Sequence, residues 1–353
     1  MTPVVGIIAN PFSARDVRRV VAQASGVQIA DRANAVMRAL AGLAAGGVGE
    51  VLMMPDRAGL VQSVERTLDR AARRGDAPYP RLSVLDMPVR SAVEDAHVAA
   101  RMMARANVAA ILALGGDGAH RAVVAHCGTT PLAAISTGAN NAFAELREPT
   151  VVGLATALAA TGRAPEGVAF RANKLLEAKV NGEAHVALVD VAVVSDSHVG
   201  AKALWRVETF RELYVAFADP DVIGMAAIAG LLEPVSRREP VGLRVRLLAP
   251  GEGGARAILR APIAPGLVAP VAVAGWSRLL PGETARPALK AGTLAFDGER
   301  EVSFQDGDAI AIALRENAFR SVDVGACMAY AATQGLMRAA AAPTIPQQAA
   351  ATR

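Results

Sequence analysis

The sequence predicts an α/β protein: a doubly wound parallel sheet, a β-rich second domain, and a last helix that returns to the first. Three observations carry this reading. Short apolar runs alternate with longer amphipathic stretches as far as Gly162. Beyond it the pattern changes to alternating runs broken by Pro and Gly. The composition, 52% hydrophobic but only 4% aromatic, suits buried parallel strands under alanine-rich helices. A chain of 353 residues also exceeds one ordinary core, so two domains are expected.

The elements follow in order. "VVGIIA" reads as a strand ending at the Asn10-Pro11 turn, and "ADRANAVMRALAGLAAGG" as a helix stopped by Gly46-Gly47. "EVLMMP" is the next strand, "LVQSVERTLDRAARRG" a helix and "RLSVLDMPV" a strand. Ser91 and Glu94 have the spacing of a capping box for the helix "AVEDAHVAARMMARAN". "VAAILAL" then runs into Gly-Gly-Asp-Gly, followed by a short helix "AHRAVVAHC", a strand "PLAAIST" and a helix "TVVGLATALAAT". Repeated strand–helix units predict right-handed parallel crossovers with ligands beyond the carboxyl ends of the strands. Three loops there are rich in small polar residues: Asn10 to Ser13, Gly115 to Gly118, and Ser136 to Asn141.

Residues 1–163 form the first domain on this reading and 164–322 the second. The helix occupies 323–340, and 341–353 is a flexible tail. Asn181-Gly182 signals a hairpin between two alternating runs. "VGLRVRLL", "ARAILRAPI", "PVAVAGWSRL", "PALKAGTLAFDGEREVSF" and "DAIAIALREN" read as further strands, and "CMAYAATQGLMRAA" as the returning helix.

Several function classes lose ground on composition. A net charge of +4, from 37 basic and 33 acidic residues, lacks the dense basic face with stacking aromatics that nucleic-acid binding requires. Cys127 and Cys327 are far apart and read as buried free thiols. The five histidines show no zinc-ligand spacing. "VVGIIA" is too short for a signal sequence or a span, so a cytoplasmic protein is expected.

The Gly-Gly-Asp-Gly turn is the candidate site. Amides at the start of a helix attract anions, and phosphate is the natural guest. No Gly-Lys-Ser/Thr follows, and the first strand ends in Asn-Pro, so neither a Walker loop nor a dinucleotide fingerprint is present. Asp117 would repel bound phosphate unless Mg²⁺ sits between them or the carboxylate accepts a proton from an attacking hydroxyl. That combination points to phosphoryl transfer. The competing reading is a structural strand–turn–helix whose glycines fit the turn. His120, just after it, reads as a helix-surface residue.

"LGGDG" followed by "PLAAISTGANNAFAE" resembles the superfamily that joins ATP-NAD kinases with diacylglycerol-type lipid kinases. Within it the sequence is most similar to the acetoin catabolism protein X branch. "IANPFS", "DAHVAARMMARANVAAILALGGDG", "IAGLLEPVSRR" and "LAFDGERE" extend the likeness over most of the chain. The resemblance implies a two-domain kinase using ATP and Mg²⁺, with its nucleotide site in the cleft between domains. Asp117 would serve the metal or act as base, while Gly115, Gly116, Gly118, Thr137 and Gly138 line the triphosphate. Asn10, Asn140 and Asn141 would lie on the nucleotide side. Asp297 and Glu299 match the Asp-Gly-Glu of lipid kinases, where the glutamate is the base and the aspartate lies on the substrate side. A small-molecule acceptor such as NAD and a homo-oligomer, dimer or tetramer, are implied in the same way.

Three departures stand out, the first beside the phosphates and the other two on the acceptor side. Ala119 stands where NAD kinases carry Thr, and Val189-Asp190 keeps only the acidic member of a ribose-binding pair. "GMAAIAGLL" lacks the hydroxyls of the corresponding segment. Asp190 reads either as that substrate-side carboxylate or as a solvent-facing strand edge. Asp297-Gly298 also reads as a hairpin turn, and Asn140-Asn141 as a helix cap. Two alternatives to NAD kinase chemistry follow: a catalytically weak nucleotide-binding regulator of acetoin-type catabolism, or a lipid-kinase-like enzyme.

Overall fold

The computed structural model describes residues 2–11, 28–76, 79–137, 141–196 and 206–338. Five strands run parallel: β1 (Val4–Ile8), β2 (Glu50–Met53), β3 (Arg81–Val84), β4 (Ala110–Gly115) and β5 (Leu132–Ser136). Their order is β3-β2-β1-β4-β5. It reverses between β1 and β4, the place where such sheets open a ligand crevice.

Helices cover both faces. α1 (Ile29–Ala45), α2 (Leu60–Arg74) and α5 (Pro149–Ala160) pack Leu40, Val64 and Leu158 into the core that holds Ile7 and Leu112. On the other side, α3 (Glu94–Arg105) and α4 (Asp117–Val124) bring Met103 and Val123 against Ile111. Successive residues Ile111 and Leu112 thus serve opposite cores, as the two-residue period of a strand requires.

Ser91 does not cap α3. It takes a left-handed φ of 63°, and the Asp95 carboxylate instead accepts the amides of Arg90, Ser91 and Ala92. A charged acceptor with three donors outcompetes a hydroxyl with one.

The first sheet continues past β5. β16 (Ile310–Val322) joins it in parallel through Ser321 opposite Leu132, and β6 (Phe170–Val180) and β7 (Glu183–Ala187) follow antiparallel. Asn181 and Gly182, with φ of 51° and 89°, form the two-residue turn between β6 and β7. β16 leads into α8 (Val324–Thr333), which packs back on α5 and on α6 (Glu166–Ala169).

The second sheet is antiparallel, in the order β11-β12-β10-β9-β8-β14-β15. Its strands are β8 (Asp190–Val194), β9 (Phe210–Val215), β10 (Gly242–Leu247), β11 (Ala257–Ala264), β12 (Leu267–Leu279), β14 (Gly292–Phe296) and β15 (Glu299–Phe304). The two-residue β13 (Thr284–Ala285) pairs with β16. Strand β9 and the short α7 (Met225–Gly230) had no counterpart in the sequence reading. Val191, Leu294 and Phe296 of this sheet share a core with Met103 and Val123 of the first. That shared core fixes the β14–β15 hairpin beside α4. Cys127 and Cys327 are free and buried, and no described helix is long and apolar enough to cross a membrane.

Candidate functional site

Strand β4 ends at Gly115, and Gly116 caps α4 with φ −92° and ψ −177°. This is extended backbone open to any residue, so the turn itself does not demand glycine there. A Cβ added at Gly118 would lie 3.5 Å from Glu299 Oε1, an ordinary contact. Packing within the protein therefore does not demand glycine at 118 either. Its lack of a side chain leaves backbone bare at a helix start, where an anion is favoured.

Asp117 is not the open-loop carboxylate that its glycine neighbours suggest. It is 6% exposed. Its Oδ2 accepts the Ala142 amide at 2.7 Å and its Oδ1 the Phe143 amide at 3.0 Å. Burial pushes its pKa up to about 6, and the nearby Asp297 charge adds to the rise, while the loop amides oppose it. At neutral pH the group is ionised but close to titrating. On the far side of the same segment, Arg237 donates to the carbonyls of Ala142 and Phe143.

The β14–β15 hairpin closes on Asp297 and Gly298, with φ of 50° and 79°, and Phe296 pairs with Glu299. Asp297 is thus a turn residue, but its carboxylate does more. It accepts the amides of Leu188, Val189 and Asp190 at 3.2, 2.8 and 3.3 Å. Arg121 Nε lies 3.3 Å from its Oδ2, where the Asp297 side chain has 0% exposure. Burial raises the Asp297 pKa, opposed by Arg121 and the three amides. Its oxygens hold the fold, so any contribution to substrate comes through the hairpin it closes. Arg121 also pairs with Glu301 and lies over the Phe296 ring at 5.8 Å. Glu299, half-buried, faces Gly118.

The other expected residues fall around this centre. Asn10 is buried, donates to the Ala92 carbonyl at 2.8 Å and has its own carbonyl held by the buried Arg32. The Thr137 amide bonds the Gly115 carbonyl at 2.9 Å, tying the ends of β4 and β5. Asn141 donates to the Ser136 hydroxyl. Gly138 and Asn140 lie outside the described residues. Asp190 is buried at the start of β8, which removes the solvent-facing reading. His120 is also fully buried rather than on a helix surface. Its Nε2 is 3.2 Å from the Ala113 carbonyl, and burial lowers its pKa to about 4.

Besides Arg121, two cations were missed, Lys174 and Arg237. Lys174 donates to the carbonyls of Ser236, Glu239 and Val241, and burial lowers its pKa to about 8. It thereby holds the segment that carries Arg237. Neither Lys174 nor Arg237 sits in a local pattern that announces its partners.

Comparison with known proteins places this geometry. A protein named acetoin catabolism protein X from Cupriavidus necator is 52% identical over 99% of this chain and 97% of its own length. The chain belongs to the acetoin catabolism protein X family. The ATP-NAD kinase N-terminal domain profile matches residues 5–164, and the acetoin catabolism protein X C-terminal domain profile matches residues 174–317. In this family member the glycine turn belongs to the kinase-like half, and the Asp297 hairpin to the family's own half. Among solved structures, yeast NADH kinase complexed with NADH is 14% identical, with a TM-score of 0.45 over 97% of this chain and 90% of that one. A diacylglycerol kinase from Bacillus anthracis is 11% identical, with a TM-score of 0.46 over 91% and 96%.

Among the described residues no group of three or more His, Cys, Asp or Glu is placed to hold a metal ion. Asp117 and Glu299 are the carboxylates at the glycine turn. This donor set fits Mg²⁺ brought in on nucleotide phosphates, which needs only one or two carboxylates, rather than a resident metal cage.

Proposed function

We propose that the protein is an ATP-dependent phosphotransferase, a cytoplasmic enzyme acting on the hydroxyl of NAD or a related small molecule. The observation that carries this reading is the seating of Glu299 over Gly118, two residues from distant motifs at one helix start. Gly115 to Gly118, with Thr137 and Asn141 beside them, cradle the triphosphate. The acceptor hydroxyl oxygen attacks the γ-phosphorus, the bond to the β–γ bridging oxygen breaks, and ADP leaves. Glu299 takes the hydroxyl proton. Asp117, ionised above pH about 6, shapes the 142–143 segment and supplies negative charge facing the nucleotide's cation. Bound Mg²⁺ would neutralise the phosphates, held by Asp117. Asp190, buried behind the hairpin, is assigned to the acceptor side.

The test is direct: incubate the protein with ATP, Mg²⁺ and NAD, and measure NADP and ADP together. NADP formation supports NAD as acceptor. ADP release with another hydroxyl compound supports the chemistry with a different acceptor. No ADP release across an acceptor panel, with nucleotide still bound, overturns catalysis. That result would favour a nucleotide-binding regulator of acetoin-type catabolism, a second reading supported by the occupation of both Asp117 oxygens by backbone amides.

A further inference from the structure

We propose that Arg237 is a positioning residue for Asp117, acting through the peptide segment that lies between them. Ala142 and Phe143 face the aspartate with their amides and the arginine with their carbonyls. One anion and one cation thus share the peptide between Ala142 and Phe143, whose N–H donates to Asp117 and whose C=O accepts from Arg237. Each strengthens the other's hydrogen bond by polarising that amide.

Arg237 is itself held. Its guanidinium lies 4.4 Å from the centroid of the Phe217 ring, and Lys174 pins the segment around it by the carbonyls of Ser236, Glu239 and Val241. The clamp therefore runs from β6, through the 236–241 segment, to the loop after β5 and then to the glycine turn. It rests on the phosphotransferase reading for its purpose, and on geometry alone for its existence. A carboxylate fixed this way needs no reorganisation when charge develops beside it, and small losses of such alignment are costly to turnover.

Removing Arg237 leaves the Ala142 and Phe143 carbonyls without their cation and loosens the segment whose amides hold Asp117.

The experiment compares wild type, Arg237→Met and Arg237→Lys, with urea unfolding to select variants that fold. Hydrogen exchange of the Ala142 and Phe143 amides is followed by NMR, a readout that requires no turnover. ADP release is measured in parallel. The expected result is exchange at both amides faster by about tenfold or more in Arg237→Met, with Arg237→Lys between. A fall in kcat of roughly tenfold to a hundredfold is expected, with the KM for ATP little changed. Unchanged exchange at both amides overturns the proposal whatever the activity. A wild type that releases no ADP fails the functional reading alone, and the clamp is still judged on the amide exchange. If Arg237→Met does not fold, the exchange in Arg237→Lys decides.

Discussion

Arg121 Nε lies 3.3 Å from Asp297 Oδ2, and neither side chain is more than 12% exposed. This pair joins the helix that begins the glycine turn to the hairpin that presents Glu299. The two halves of the candidate site are therefore held in register by a buried ion pair rather than by apolar packing alone.

Breaking that pair from one side is costly. Arg121→Met leaves Asp297 buried beside its amides without its counter-ion, an expected loss of about 3–5 kcal/mol. Adding Asp297→Asn removes the stranded charge and restores part of the loss. Urea unfolding of the two single variants and the double variant checks this as a cycle. Additive effects would show that the two residues do not cooperate.

Asp117 and His120 bias acid stability in opposite directions. The pKa of Asp117 is raised to about 6 in the fold, so its contribution is lost as pH climbs from about 4 to 6. That of His120 is lowered to about 4, so its contribution is lost as pH falls from its unfolded value near 6.5. The two slopes nearly cancel in wild type. Asp117→Asn exposes the histidine slope, and its stability relative to wild type should grow by about 2 kcal/mol between pH 4.5 and 6.5. Urea unfolding at the two pH values measures it, and parallel curves for variant and wild type would contradict it.

Gly118 separates fold from function. A Cβ there meets only ordinary contacts, and alanine is the better helix former. Gly118→Ala should therefore be as stable as wild type, or up to about 1 kcal/mol more so. Its ATP affinity should fall about tenfold as the methyl group intrudes on the phosphates, a loss of roughly 1.4 kcal/mol. Thermal unfolding and nucleotide titration of one preparation decide it. Lower stability with unchanged affinity would mean the glycine serves the protein alone.

Much of the fold was legible because buried parallel strands read as apolar runs between helices, and "AILALG" is buried at every position. Pairing was less legible. The alternation in "KLLEAKV" announces a strand but not that it joins the first sheet through β16. The glycine turn and the Asp-Gly hairpin were each visible, whereas their meeting depends on a core assembled from both sheets. His120 follows Asp117 by one helical turn, a spacing that places both on the inward face. Arg121, Lys174 and Arg237 bond partners remote in the chain, three of them carbonyls in the case of Lys174, and backbone acceptors leave no mark in side-chain patterns.

The central claim is that Glu299 and the glycine turn form one phosphoryl-transfer site. It is tested most directly by Glu299→Gln, measuring Mg·ATP binding by calorimetry and acceptor-dependent ADP release on one preparation. The account predicts binding within about twofold of wild type and turnover reduced by roughly a hundredfold or more. Undiminished turnover in the variant, or no nucleotide binding by the wild type, would contradict it.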